Sequence, residues 1–136
     1  MKPTVIIGCG ATGVSVIEYF SRRGYPIVVM DTRTELPNSA QLRETYPQLP
    51  LHLGELDPGL LLSAERIIIS PGLDPDLPVL HDARQAGIEV IGDVEWFLRE
   101  LPPSCQVAAI TGTNGKSTTT MLLGAICQAQ GVQTIV

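Results

Sequence analysis

Apolar residues in this chain fall into short runs closed by glycine or proline, and between the runs they recur every three or four positions. The first habit marks buried strands and the second marks amphipathic helices. Residues 4–7 are an uninterrupted β-rich run, followed by a glycine loop and then by Val14, Ile17 and Phe20 at helical spacing, with Gly24 as the stop. Residues 27–30 form a second strand, with Asp31 at its C-terminal end. Residues 37–58 are less regular and predict one short helix near 40–46, with a further helical turn at 60–64. Residues 66–70 read as a strongly buried strand running into Pro71-Gly72. A helix over 78–86 stopped by Gly87, a strand over 88–91, and a helix over 93–100 with Val94, Phe97 and Leu98 facing inward complete this part. Further on, residues 107–110 predict a buried strand and 111–115 a glycine loop. Lys116 opens a helix carrying Met121, Leu122, Leu123 and Ile126, which ends at Gly131, and residues 132–136 start another strand.

Strands alternating with helices predict an α/β fold, a Rossmann-like parallel sheet with helices on both faces. It is followed by the first strand-loop-helix of a P-loop ATPase domain. Pro102 and Pro103 can neither continue a helix nor join a central strand, which places a linker at 102–106 between a first domain at 1–101 and a second beginning at 107–136. One βαβ piece cannot cover its own sheet, so the second domain is expected to be truncated, and the chain is expected to be the N-terminal part of a longer protein.

Composition narrows the function. Nine Lys and Arg against a net charge of −5 argue against a broad basic face for nucleic acid. An anionic ligand must then be held by local devices such as helix N-termini. Three isolated cysteines, Cys9, Cys105 and Cys127, offer neither a disulfide framework nor a zinc spacing, and fit a reduced, cytoplasmic setting. No apolar run approaches the roughly 20 residues of a membrane span. His52 and His81 are isolated and expected at the surface, and Asp74 and Asp76 read as turn formers.

Two glycine loops carry the candidate chemistry. Gly8-Cys-Gly-Ala-Thr-Gly13 between a strand and a helix, with Asp31 eighteen positions later, is close to the dinucleotide fingerprint. Its glycines allow a diphosphate to approach the helix N-terminus, and Asp31 can accept hydrogen bonds from a ribose or base. Cys9 within it reads as a small tolerated residue rather than a nucleophile. The three loops 8–13, 31–33 and 70–72 are expected to converge at the C-terminal edge of the sheet. The second loop, Thr111-Gly-Thr-Asn-Gly-Lys-Ser117, opens a helix as a phosphate-binding loop does, with Ile110 standing where the general pattern has its first glycine. There Lys116 can reach terminal phosphate oxygens and the Ser117 hydroxyl can ligand Mg²⁺.

These segments, together with Asp31-Thr-Arg33, Ser70-Pro-Gly72 and Gly92-Asp-Val-Glu95, resemble in order and spacing the N-terminal third of a Mur ligase, one of the enzymes that build the peptide stem of bacterial cell-wall precursors. The resemblance runs over essentially the whole chain. It implies an ATP-dependent ligase that joins D-glutamate to UDP-N-acetylmuramoyl-L-alanine through an acyl phosphate. It further implies that Gly10, Ala11 and Thr12 meet the diphosphate, that Asp31, Thr32 and Arg33 hold the uridine, and that Ser70, Pro71 and Gly72 line the same cleft. Gly112, Thr113, Asn114, Gly115, Lys116, Ser117 and Thr118 would bind ATP, with Lys116 on the transferred phosphate and Ser117 or Thr118 near Mg²⁺. A cytoplasmic monomer that is inactive as this fragment alone is the corresponding expectation. Two alternatives stay open on the residues. An NAD(P)-dependent oxidoreductase explains the first loop and Asp31 but not residues 111–117, and the other alternative is a non-catalytic nucleotide-binding regulatory module.

Overall fold

A computed structural model describes residues 1–136, which fold as two units, Met1–Leu101 and Pro102–Val136. The first unit is a five-stranded parallel sheet of β1 (Thr4–Ile7), β2 (Ile27–Asp31), β3 (Leu51–Leu53), β4 (Arg66–Ile69) and β5 (Glu89–Gly92) in the order β3-β2-β1-β4-β5. Helices α1 (Ala11–Arg22), α2 (Ser39–Thr45), α3 (Pro58–Ser63), α4 (Pro78–Gln85) and α5 (Asp93–Glu100) connect or follow the strands.

The continuous apolar runs are explained by burial on both faces. Val5, Ile7, Val28, Met30, Ile67 and Ile69 point to one side and pack with Leu61 of α3 and Leu80 and Ala83 of α4. Ile6, Ile27, Val29, Ile68 and Ile91 point to the other and pack with Val16, Ile17 and Phe20 of α1, Leu42 of α2 and Trp96 of α5. Alternation of the side chains along each strand thus fills two cores from one sheet. Helix α1 ends against Gly24, which takes φ +69. Helix α3 begins at Asp57, whose carboxylate accepts from the Gly59 and Leu60 N–H groups.

The strand order reverses direction at β1. The chain runs outward from β1 to β2 and β3, then returns through α3 to the opposite side of β1 for β4 and β5. Beyond the C-terminal ends of β1 and β4 the connecting loops therefore diverge, and a crevice opens between them, which is where ligands of such sheets bind.

Three expectations need correction. The edge strand β3 lies within the segment read as irregular; it is three residues long and its His52 is exposed. Helix α5 is rotated from the expected face: Val94 and Phe97 are 59% and 58% exposed and Leu98 is exposed as well, while Asp93 and Trp96 face the sheet. Trp96 is held there by tilted stacking on Phe20 and by the Arg66 guanidinium over its ring. In the second unit, α6 (Lys116–Ala129) forms, but residues 107–110 and 132–136 are not strands, and Val107 is exposed. A strand exists by its ladder, and residues 102–136 hold no second strand to pair with.

Candidate functional site

The three loops expected to meet at the C-terminal edge of the first unit are tied together by hydrogen bonds. Gly8 N–H donates to the Met30 carbonyl and Ser70 N–H to the Ile7 carbonyl, so the glycine loop is pinned between the ends of β2 and β4. Asp31 does most of the fastening. Its Oδ2 accepts from the Cys9 N–H at 2.8 Å and from Arg33 Nη2 at 2.7 Å, while its Oδ1 accepts from the Arg33 backbone N–H at 3.0 Å and from Arg33 Nε at 2.8 Å. The Arg33 guanidinium, the backbone donors and the paired positive charge hold the Asp31 carboxyl down at about 2, against an opposing push from burial. Asp31 is nearly enclosed, whereas half of the Arg33 side chain stays in water. Thr32, Pro71 and Gly72 are exposed around them, and Ser70 is half-buried.

The glycines separate into two classes. A Cβ on Gly13 would lie 1.9 Å from the Gly8 carbonyl oxygen, and one on Gly8, where φ is +107, would lie 2.6 Å from Ser70 Oγ. Those two residues are demanded by packing. Gly10 is different: it has φ −72, a conformation open to any residue, and nothing lies within 4 Å of where its Cβ would stand. It caps α1 without a side-chain hydrogen bond, and Ala11 and Thr12 are exposed in the first turn. The helix start therefore presents unpaired N–H groups and its partial positive charge to open space, the arrangement that receives an anionic group.

Cys9 sits inside this loop but is chemically quiet. Burial, and the Asp31 carboxylate beside it, push its thiol up to about 11. Its backbone does the structural work through the N–H to Asp31.

The second loop, described on its own, starts α6. Gly112 takes φ +152 and Gly115 φ +77, both awkward for a side chain. Gly115 is the N-cap, with no side-chain cap bond, and Lys116 Nζ folds back to the Gly112 carbonyl at 2.7 Å. Thr113, Asn114, Ser117 and Thr118 are exposed along this turn. No three His, Cys, Asp or Glu side chains anywhere in the chain are grouped to hold a metal ion.

With this geometry in hand, the comparison with known proteins is specific. The family model of the Mur ligase MurD-like N-terminal domain matches residues 2–92. The chain belongs to this family. It is similar to the UDP-N-acetylmuramoylalanine–D-glutamate ligase of Yersinia pestis bv. Antiqua, at 46% identity over 96% of this chain and 28% of that protein. It is also similar to a solved pseudomurein peptide ligase type C from Methanothermus fervidus, at 30% identity and TM-score 0.60, over 96% of this chain and 27% of the other. The fold alone is shared with the UDP-N-acetylmuramate-alanine ligase of Thermotoga maritima, at 21% identity and TM-score 0.58, over 94% of this chain and 29% of that one. The chain thus spans under a third of the length of the curated relatives it matches.

Two residues of the first unit, Asn38 and Asp93, have surroundings that the sequence did not reveal. Asn38 donates from Nδ2 to the Cys9 carbonyl at 3.2 Å and so braces the glycine loop at the residue whose N–H Asp31 holds. An asparagine in a loop carries no pattern that would reveal this. Asp93 is 5% exposed, at the start of α5. Its Oδ1 accepts from the Val94 N–H at 2.7 Å, whereas its Oδ2 is enclosed with no partner. An acidic residue opening a helix after a strand ordinarily reads as a solvated cap, and only the coordinates reveal the burial.

Proposed function

We propose that this chain is the N-terminal part of an ATP-dependent ligase joining D-glutamate to UDP-N-acetylmuramoyl-L-alanine in peptidoglycan precursor synthesis. Its first unit holds the UDP portion of that substrate. The observation that carries the reading is Gly10: a glycine that packing does not require, over an uncapped helix start, inside a loop anchored to Asp31. Family membership supplies the ligand class.

In this reading the N–H groups of Gly10, Ala11 and Thr12, with the Thr12 hydroxyl, take the diphosphate. Asp31, Thr32 and Arg33 receive the uridine, and Ser70, Pro71 and Gly72 border the same crevice beyond β4. In the second unit, which we read as the start of the central ATP-binding domain after a linker at 102–106, the residues fit a nucleotide's phosphates. Positive-φ glycines at 112 and 115 leave backbone donors accessible, and Lys116 is already at the loop. Thr113, Asn114 and Thr118 complete the turn, and the Ser117 hydroxyl would hold Mg²⁺ together with phosphate oxygens. ATP with Mg²⁺, when bound, supplies the phosphoryl group that converts the substrate carboxylate into an acyl phosphate, a better electrophile. Lys116 is the cation on this chain that would balance charge on the transferred group. No helix is long and apolar enough to cross a membrane. A cytoplasmic monomer belongs to this reading through the family resemblance.

Calorimetric titration of the 136-residue chain with UDP, ATP–Mg²⁺ and NADH tests this. UDP binds, and Arg33→Ala weakens it about tenfold. ATP–Mg²⁺ binding is lost on Lys116→Ala while UDP binding persists. The chain alone releases no ADP in response to D-glutamate. Tight NADH binding with no response to UDP would instead make it an oxidoreductase domain.

A further inference from the structure

We propose that Asn38 is a positioning residue for the diphosphate: by holding the Cys9 carbonyl it aims the Gly10 N–H at the ligand. This rests on the nucleotide reading above and names the group that orients its anion cradle. Asn38 stands at the start of α2, where an asparagine side chain ordinarily accepts from the first N–H groups of its own helix. Here it makes no such bond. The Asn38 backbone carbonyl starts α2 by accepting from Leu42 N–H at 2.9 Å, and the side chain instead reaches 29 residues back along the chain to the Cys9 carbonyl, at 3.2 Å.

Three of the four backbone polar groups of Cys9 and Gly10 are thereby committed. Cys9 N–H donates to Asp31 Oδ2 at 2.8 Å, the Cys9 carbonyl accepts from Asn38, and the Gly10 carbonyl accepts from Val14 N–H at 3.0 Å in the first turn of α1. The Gly10 N–H alone is left, on an exposed residue. The peptide joining Cys9 and Gly10 is trans, so its C=O and N–H point in opposite directions. A donor that fixes the one fixes the other.

The peptide needs such a fixing because glycine lets it turn over. A half-turn of this one unit carries φ at residue 10 toward positive values, which glycine tolerates, and nothing lies within 4 Å of the Gly10 Cβ position to obstruct it. Turned over, the unit would present the Cys9 carbonyl to the phosphate oxygens in place of a donor, and the like charges would repel. Asp31 does not oppose that turn, because the rotation is about the ψ bond of Cys9 and the φ bond of Gly10, beyond the Cys9 N–H that Asp31 holds. The Asn38 amide does oppose it, since its hydrogen bond to the Cys9 carbonyl would break.

The experiment follows backbone amides by nuclear magnetic resonance while UDP is titrated into the 136-residue chain and into Asn38→Ala and Asn38→Asp. Neither variant removes a cap bond from α2, so both fold. In the parent the Gly10 amide proton moves on adding UDP, together with those of Thr32 and Arg33 at the nucleoside end. In both variants the Gly10 response is lost while the Thr32 and Arg33 responses persist at saturation. Affinity for UDP falls about tenfold, the worth of one hydrogen bond to a charged group. A brace that only held the fold would weaken all three responses together. A variant affinity within about twofold of the parent's, a Gly10 response that survives, or responses lost at all three residues overturns the positioning role alone. Failure of the parent to bind UDP overturns the nucleotide reading and this inference with it.

Discussion

Asp31→Asn isolates the charge that fastens the glycine loop. The substitution keeps the shape of the side chain but removes the negative charge that the Cys9 N–H and the Arg33 guanidinium and N–H all address. The folded carboxyl sits at about 2 against an ordinary 3.8, a difference worth roughly 2 kcal/mol of folding free energy. Asp31 is almost fully enclosed but the Arg33 side chain that supplies most of this stays half in water, so solvent screening makes the figure an upper value. A carboxyl that holds its proton less tightly when folded stabilises the native state above its unfolded pKa. That contribution disappears as the pH falls from about 4 through about 2. Urea unfolding of both proteins from neutral to acid pH reads the effect. At neutral pH the variant is less stable by up to about 2 kcal/mol, or roughly 8–16 °C in melting temperature for a unit of this size. The gap between the two proteins closes as Asp31 becomes protonated. An unchanged gap at all pH values, or a variant as stable as the parent at neutral pH, refutes the argument that charge holds the loop.

Gly13→Ala drives a methyl into the Gly8 carbonyl and destabilises by about 3 kcal/mol or more, whereas Gly10→Ala stays within about 0.5 kcal/mol of the parent yet loses UDP affinity; thermal melts and titration on the same samples separate the two. Iodoacetamide labels exposed Cys105 in the native chain while Cys9, buried and held up at about 11, reacts only after unfolding, as peptide mass spectrometry would show. Trp96→Ala costs about 2–3 kcal/mol because it removes the ring packed on Phe20, and Phe97→Ala costs under about 0.5 kcal/mol; equal losses in urea unfolding would mean that α5 is turned the other way.

What the sequence made legible follows from how each element is buried. β1, β2 and β4 are covered on both sides, so each is an unbroken apolar run and was placed to within a residue. β3 is an edge strand of three residues, with His52 exposed between half-buried Leu51 and Leu53, and such a strand leaves almost no pattern. The glycine loop was legible as a loop, but not the division of labour within it. Only coordinates separate Gly8 and Gly13, which packing requires, from Gly10, which it does not. Asp31 was read as a ligand contact, and it is also the clamp on the loop that would make that contact.

The instructive failure is α5. Val94, Phe97 and Leu98 have the spacing of a buried stripe, yet the helix turns Asp93 and Trp96 to the sheet instead. Periodicity states that residues are to be buried but not against what. The entry of the chain from Gly92 at the end of β5 sets the rotation of α5, and the aromatic contact between Trp96 and Phe20 holds it. The apolar residues left outward then become part of a surface rather than of the core. On α5 two of them, Val94 and Phe97, line the apolar crevice between α1 and α5. On α6 the outward face carries Met121, Leu122 and Ile126, and the same logic applies: the helix forms from its own backbone hydrogen bonds, whereas the flanking strand, which depends on a ladder, does not.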